Sequence, residues 1–158
     1  MSQAPLPFIS LIRENLSILM TFAYSQPELS QLWIQRYGGR LDRLGAVLFR
    51  ESEQRAIRAC VELAALLRLL DDRENLNEYL KTSNFAALGV LKMDDGSEEP
   101  LYIRDVTNKI MHADSYQFQV LVTRFDHKLI CKARPDERWV TAEIDLVALA
   151  VVCGHIIG

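Results

Sequence analysis

A chain of 158 residues with 18 Lys or Arg and 21 Asp or Glu has the length of a single domain, residues 1–158, and a formal net charge of −3. The acidic balance excludes a globally basic nucleic-acid binder but leaves room for a local basic patch. The composition, 49% hydrophobic and 25% charged, excludes wholesale disorder, and the low numbers of glycine and proline, 7 and 5, favour helices.

The three cysteines, Cys60, Cys131 and Cys153, predict neither a disulfide framework nor a zinc site, because they are far apart and form no Cys-x-x-Cys pair. Each lies in an apolar run, which is typical of a small buried side chain. No Lys or Arg precedes Arg13, so a signal peptide is not predicted, and the most apolar run, 146–153, is too short to span a membrane. We therefore expect a cytoplasmic protein without a membrane partner.

Apolar residues spaced three and four apart predict helices throughout the N-terminal half. Pro27 separates the first two helices, because proline is tolerated in a first turn and breaks a helix interior. The third is one long helix or two, with Ser52 as the N-cap of the second. The predicted helices lie at about 8–24, 27–37, 41–70 and 76–81.

In the second half the hydrophobic period changes from helical to alternating. A loop is predicted at 94–100 and a helix at 101–113. Strands follow, with His127 exposed in the turn between the first two, and the apolar segment 145–157 predicts a buried helix. The strands are predicted at about 116–123, 129–133 and 139–140. The predicted fold class is mainly α, a helical bundle with an antiparallel β-hairpin or meander at about 116–142 before a buried C-terminal helix.

The helix predicted at 101–113 has an apolar face and a polar stripe. Its apolar face is formed by Ile103, Val106 and Ile110. Its stripe is formed by Arg104, Asn108 and His112, flanked by Asp105 and Lys109 as candidate substrate-binding residues. A guanidinium holds phosphate oxygens and an imidazole moves a proton near neutral pH, so the stripe suits phosphodiester chemistry without a metal. The alternative is a solvated helix face with no chemical role.

The segment Thr107-Asn108-Lys109-Ile110-Met111-His112 resembles the Arg-Asn-x-x-x-His motif of the HEPN superfamily, whose members are small helical bundles with the motif on a late helix. The resemblance implies metal-independent RNA cleavage in catalytic members, usually toxins or defence effectors, and RNA or nucleotide binding in degenerate members. It also implies a homodimer in which two motifs line one cleft. Asn108 and His112 match the motif position by position. Thr107 stands at the position of the motif's Arg, and Arg104, one turn earlier, is a candidate substitute.

Three functions remain open at this point. The first is a HEPN-like RNA- or nucleotide-binding domain, a degenerate metal-independent ribonuclease of a toxin or defence system, with His112 as general acid or base, Arg104 as phosphate clamp and Asn108 as orienting group. No metal or other cofactor is predicted for it. The alternative is a non-catalytic homodimeric interaction module whose exposed strand edges bind a partner protein, such as an antitoxin. A bundle that binds a small molecule is supported by the apolar helices alone.

Overall fold

A computed structural model describes residues 6–38, 42–120 and 127–158. Across these residues, helices pack on one face of a five-stranded antiparallel sheet, and the buried side chains form one hydrophobic cluster. The mainly α fold class, with an antiparallel meander before a buried C-terminal helix, is confirmed. The helices are α1 (Leu6–Tyr37), α2 (Asp42–Gly45), a π-helical segment (Ala46–Glu51), α3 (Ser52–Glu74), α4 (Leu76–Thr82), α5 (Ile103–His112) and α6 (Leu146–Ile157). The strands are β1 (Gly89–Met93), β2 (Glu98–Leu101), β3 (Ser115–Gln119), β4 (Lys128–Lys132) and β5 (Trp139–Asp145).

α1 is one continuous helix, and the predicted break at Pro27 is wrong. Proline removes the backbone hydrogen bond to the carbonyl of Ala23, but just before it the ring of Phe22 packs against Phe118 of β3 with centroids 4.8 Å apart. Beyond the proline, Trp33 packs edge-on against Phe49 with ring centroids 6.0 Å apart. Tertiary contacts on both sides of Pro27 thus hold the chain helical where local propensity favours a break.

The sequence left open whether one helix or two follow residue 41. The structure has one continuous helical path, in which α2, the π-helical segment and α3 follow one another directly. Ser52 does not act as an N-cap. Its hydroxyl donates instead to the carbonyls of Leu48 and Phe49, at 2.5 and 3.0 Å, where the wider π turn passes into α3. Gly45 lets this segment approach α1, since a Cβ there would lie 3.0 Å from the ring of Trp33.

The sheet has the strand order β2-β1-β5-β4-β3 and is larger than predicted. The segment predicted as a loop contains most of β2 and the turn that joins it to β1, in which Gly96 has a φ of 84°. The carboxylate of Asp95 accepts hydrogen bonds from the backbone and hydroxyl of Ser97, at 2.8 and 2.6 Å. The sequence prediction missed both strands. β2 is short, charged and interrupted by Pro100, so it shows no alternating pattern.

The predicted meander is confirmed in β3, β4 and β5, although β5 is longer than expected and pairs with β1 in the middle of the sheet. The predicted strand residues 121–123 and Asp126 of the predicted turn lie outside the described residues. The prediction of an exposed His127 is wrong, because its side chain is only 3% exposed and its ring lies 4.2 Å from that of Tyr24. Its carbonyl accepts a hydrogen bond from the backbone N–H of Leu146, which fixes it beside the start of α6.

One face of the sheet belongs to the core, and the other is partly exposed. Alternate strand residues such as Leu91, Leu129 and Ile144 are buried in the same cluster as the helices, as period-2 alternation requires. α6 begins at Asp145, whose carboxylate accepts from the backbone N–H groups of Val147 and Ala148, at 2.8 and 2.9 Å. In the described ranges, no helix has the length and apolar character needed to cross a bilayer.

Candidate functional site

In the chain, α5 follows β2 and precedes β3, and it carries the predicted polar stripe. Its first turn is fixed by Asp105, whose carboxylate accepts a hydrogen bond from the backbone N–H of Tyr102 at 3.2 Å. The predicted apolar face is confirmed, since Ile103, Val106 and Ile110 are all buried. Asp105 therefore serves as a helix-capping residue in the described structure.

Thr107, at the position of the motif's Arg, faces the core. Its side chain is fully buried, and its hydroxyl donates to the carbonyl of Arg104 at 3.0 Å. A guanidinium at this position would enter the hydrophobic cluster rather than the polar stripe. The position that the HEPN motif uses for a charged group is thus an interior position of this helix.

Arg104 is paired with two carboxylates of α3. Its guanidinium donates to Asp71 at 2.6 Å and lies 3.2 Å from Asp72. The hydrogen bond to Asp71 raises the pKa of Arg104, so the group stays charged. A phosphate approaching this guanidinium would also approach two negative charges, which opposes the predicted role of a phosphate clamp.

Asp71 is the centre of a small polar cluster that joins α3, α4 and α5. Its side chain is 1% exposed and accepts from Arg104 and, at 2.7 Å, from the backbone N–H of Asn77. The Asn77 side chain in turn accepts from the backbone N–H of Arg104 at 3.4 Å. Sequence reasoning missed both residues. A carboxylate directly after the apolar stripe of α3, at the point where that helix ends, was the available signal.

Of the remaining predicted site residues, one packs against the sheet and two are exposed. The ammonium of Lys109 lies 4.5 Å from the ring centroid of Trp139, in a cation–π contact with β5. Asn108 and His112 are exposed on α5, and neither side chain has a hydrogen bond or ion pair within the described residues. The structure thus brings Arg104 to carboxylates and leaves Asn108 and His112 open to solvent.

The two edges of the sheet form a second candidate site, and they differ in chemistry. β2 carries Glu98, Glu99 and Pro100, whose charges and missing N–H oppose the addition of another strand. β3, at the opposite edge, carries exposed Ser and Gln side chains and neither charge nor proline. Within the described ranges, β3 is therefore the edge whose chemistry permits pairing with another strand.

The hydrogen-bond register shows which groups of β3 face outward. Just after β4, the N–H of Ala133 donates to a carbonyl of β5 at 3.0 Å, so alternate residues of this strand bond to β5 and those between them bond to β3. Ile130 is one of the latter, and it lies opposite Gln117. The N–H of Gln117 therefore faces β4, and the backbone groups of Tyr116 and Phe118 face the open edge.

β3 is held firmly from the core side. The hydroxyl of Tyr116 donates to the carbonyl of Ile110 in α5 at 2.6 Å, and the ring of Phe118 packs against Phe22 of α1 with centroids 4.8 Å apart. These contacts fix the strand in an extended form before any partner binds, which lowers the entropy cost of pairing.

Across the described residues, no group of three His, Cys, Asp or Glu side chains is arranged to hold a metal ion. Comparisons of the chain with protein families, with curated proteins and with solved structures find no match.

Proposed function

We propose that this protein is a non-catalytic interaction module that forms a homodimer through the outer edges of β3. The observation that supports this proposal is the contrast between the two edges of the sheet, one guarded by acids and a proline, the other neutral with outward backbone groups. Addition of a strand to such an edge is a common mode of protein recognition. The pairing of Arg104 with Asp71 supports a structural role for that guanidinium rather than a catalytic one.

A second copy suits this edge because β3 is self-complementary. A twofold axis pairs a strand with its own copy in the antiparallel direction. With the axis at Gln117, Tyr116 of each copy lies opposite Phe118 of the other, and each such pair exchanges two backbone hydrogen bonds. The Gln117 side chains of the two copies then meet in a non-hydrogen-bonded pair, with Cα atoms about 4.5 Å apart.

Charge at Gln117 tests this geometry. In Gln117→Lys the two ammonium groups would face each other, and we expect the dissociation constant of the dimer to rise at least about tenfold. Gln117→Glu should weaken the dimer in the same way. An equimolar mixture of the two variants should recover association as a heterodimer, because opposite charges then face each other. Sedimentation equilibrium measures all three samples.

The matched control is Gln54→Lys, which makes the same charge change on an exposed position of α3 and should leave the dimer unchanged. A wild-type protein that stays monomeric across micromolar concentrations would contradict the proposal. So would a dimer that is indifferent to both charges at Gln117.

A second candidate function, HEPN-like RNA or nucleotide binding with residual cleavage, is supported by one observation. Asn108 and His112 are exposed one turn apart on α5 and have no partner in the described structure. On this hypothesis His112→Ala should abolish any cleavage of a generic RNA in EDTA, or weaken RNA binding, without changing the melting temperature. The control is His155→Ala, which removes an exposed histidine of α6 that is hydrogen-bonded to Tyr79 of α4. A wild-type protein that neither binds nor cleaves RNA, and binds no nucleotide, would exclude this candidate.

The cysteines support a location in the reducing cytoplasm. All three are free and buried, and burial raises the pKa of Cys131 and of Cys153 to about 12. Thiols of this kind are poor nucleophiles and do not form disulfides readily. We therefore expect no labelling by iodoacetamide of the folded protein, and full labelling after unfolding.

A further inference from the structure

A groove between α1 and α3 lies outside the sites described above. Its volume is about 540 Å³, and its floor is mainly apolar, with Ile18, Phe22, Leu29 and Ala59. Ile18 and Leu29 are eleven residues apart, so the groove extends about 16 Å along α1. It is an open trough rather than an enclosed cavity, and its large apolar floor has no covering element among the described residues.

The two rims of the groove differ. The α1 rim is small and uncharged, with Ser17, Thr21 and Ser25 one turn apart. Side chains of this size leave room for another backbone to come close. The α3 rim has long, charged side chains.

Arg55, Arg58 and Glu62 form the α3 rim, and all three are exposed. Arg58 and Glu62 have the i, i+4 spacing of a helix ion pair, yet neither they nor Arg55 form a salt bridge with any described residue. The rim therefore presents two free positive charges followed, one turn later, by a free negative charge.

One polar group at the groove lacks a partner. The side-chain nitrogen of Gln26 is buried and has no hydrogen-bond acceptor in the described structure. An unpaired buried donor is destabilising, so an occupant that supplies an acceptor gains from it. This donor favours an occupant that supplies a hydrogen-bond acceptor, and the two arginines favour one that carries carboxylates.

We infer that this groove binds an amphipathic helix from a partner protein, with acidic side chains opposite Arg55 and Arg58 and a basic side chain one turn further, opposite Glu62. The apolar stripe of the partner helix covers the floor, and the small α1 rim admits its backbone. A helix suits the site better than a small molecule because the trough is long and open, whereas small-molecule sites enclose most of their ligand. The inference extends the proposed interaction role to a surface separate from β3.

Two synthetic peptides test the charge pattern. The first is a helical peptide of about 18 residues with leucines at helical spacing, glutamates along one flank and one lysine a turn beyond them, and the second has these charges exchanged. Fluorescence anisotropy should show the acidic peptide binding at least about tenfold more tightly than the basic one. Arg55→Glu/Arg58→Glu should reverse that preference. Arg36→Glu/Arg73→Glu, an equal charge change on exposed helix positions outside the groove, should leave it unchanged.

A second variant tests the small rim independently of charge. Thr21→Trp adds bulk at an exposed position and should weaken binding of the acidic peptide about tenfold, with an unchanged melting temperature. Equal affinity of the two peptides, or no effect of charge reversal, would overturn the inference. Binding of dodecanoate with binding of neither peptide would assign the groove to a small amphiphile and overturn it too. Gln117→Lys should leave peptide binding intact, so a failure of the β3 dimer is distinguishable from a failure of the groove.

Discussion

Asp71 shows how one buried charge organises three helices. Its two oxygens are satisfied by a guanidinium of α5 and a backbone N–H of α4, so no lone charge is left in the interior. The neighbouring Asp72 contacts the same guanidinium but is 50% exposed. The pair offers a comparison between a buried and an exposed carboxylate that share one partner.

We expect Asp71→Ala to lower the free energy of unfolding by about 2–3 kcal/mol, because the buried N–H of Asn77 loses a charged acceptor, which costs about 1.5–3 kcal/mol, and the bond to the half-exposed Arg104 adds less than about 1 kcal/mol. Asp72→Ala, the matched control, should cost less than about 1 kcal/mol, as exposed ion pairs do. Urea denaturation of both variants measures the difference. Equal losses would show that burial of Asp71 does not strengthen the cluster.

For single residues, the sequence predicts which side chains are buried better than it predicts which side chains contact one another. The burial of Ile103, Val106 and Ile110 follows from helical spacing alone. The contacts of Arg104 and Lys109 do not, because their partners in α3 and β5 lie about 30 residues away in the chain. Periodicity carries no information about such pairings, and a polar helix face whose cations are used in packing looks the same in sequence as a binding site.

Glu143 of β5 joins the three central strands, β1, β5 and β4, across the partly exposed face of the sheet. Its carboxylate contacts Lys92 of β1 and lies 3.0 Å from the ammonium of Lys128 of β4. The hydrogen bond from Lys92, reinforced by Lys128, lowers the pKa of Glu143. Such a carboxyl contributes stability above its unfolded pKa, about 4.3, and loses it as the pH falls through the lower folded value.

We therefore expect the stability of the wild-type protein to fall more steeply than that of Glu143→Gln between about pH 5 and pH 3. Glu14→Gln, at an exposed position of α1 without a partner in the described structure, should follow the wild-type profile. Urea midpoints measured across this range give the comparison. Parallel profiles for wild type and Glu143→Gln would show that these cross-strand contacts do not stabilise the sheet.

Elements were predictable where hydrophobic periodicity is strong and not where packing overrides a local signal. α5 and the β3–β5 meander follow from their periodic patterns, and α6 follows from its almost uniformly apolar sequence. Pro27 and Ser52 are local break and cap signals, but both lie within continuous helical paths. β1 and β2 were not predicted, because pairing within the sheet, rather than a pattern in their own sequence, makes them strands.

For the whole molecule, the strand order determines which backbone groups are free. Because β5 pairs with β1, the sheet runs from an acidic, proline-containing edge to a neutral one. No pattern along the chain predicts this order, since β1 and β5 are about 50 residues apart. The open edge, and with it the proposed dimer, becomes visible only in the folded molecule.

Amide hydrogen exchange of β3 tests the proposed dimer most directly. The N–H groups of Tyr116 and Phe118 face the open edge, whereas that of Gln117 bonds to β4 and serves as an internal control. If two copies pair through this edge, protection of Tyr116 and Phe118 should rise with protein concentration, while that of Gln117 stays constant, and Gln117→Lys should abolish the rise. Equally fast exchange of Tyr116 and Phe118 in dilute and concentrated protein would contradict the account.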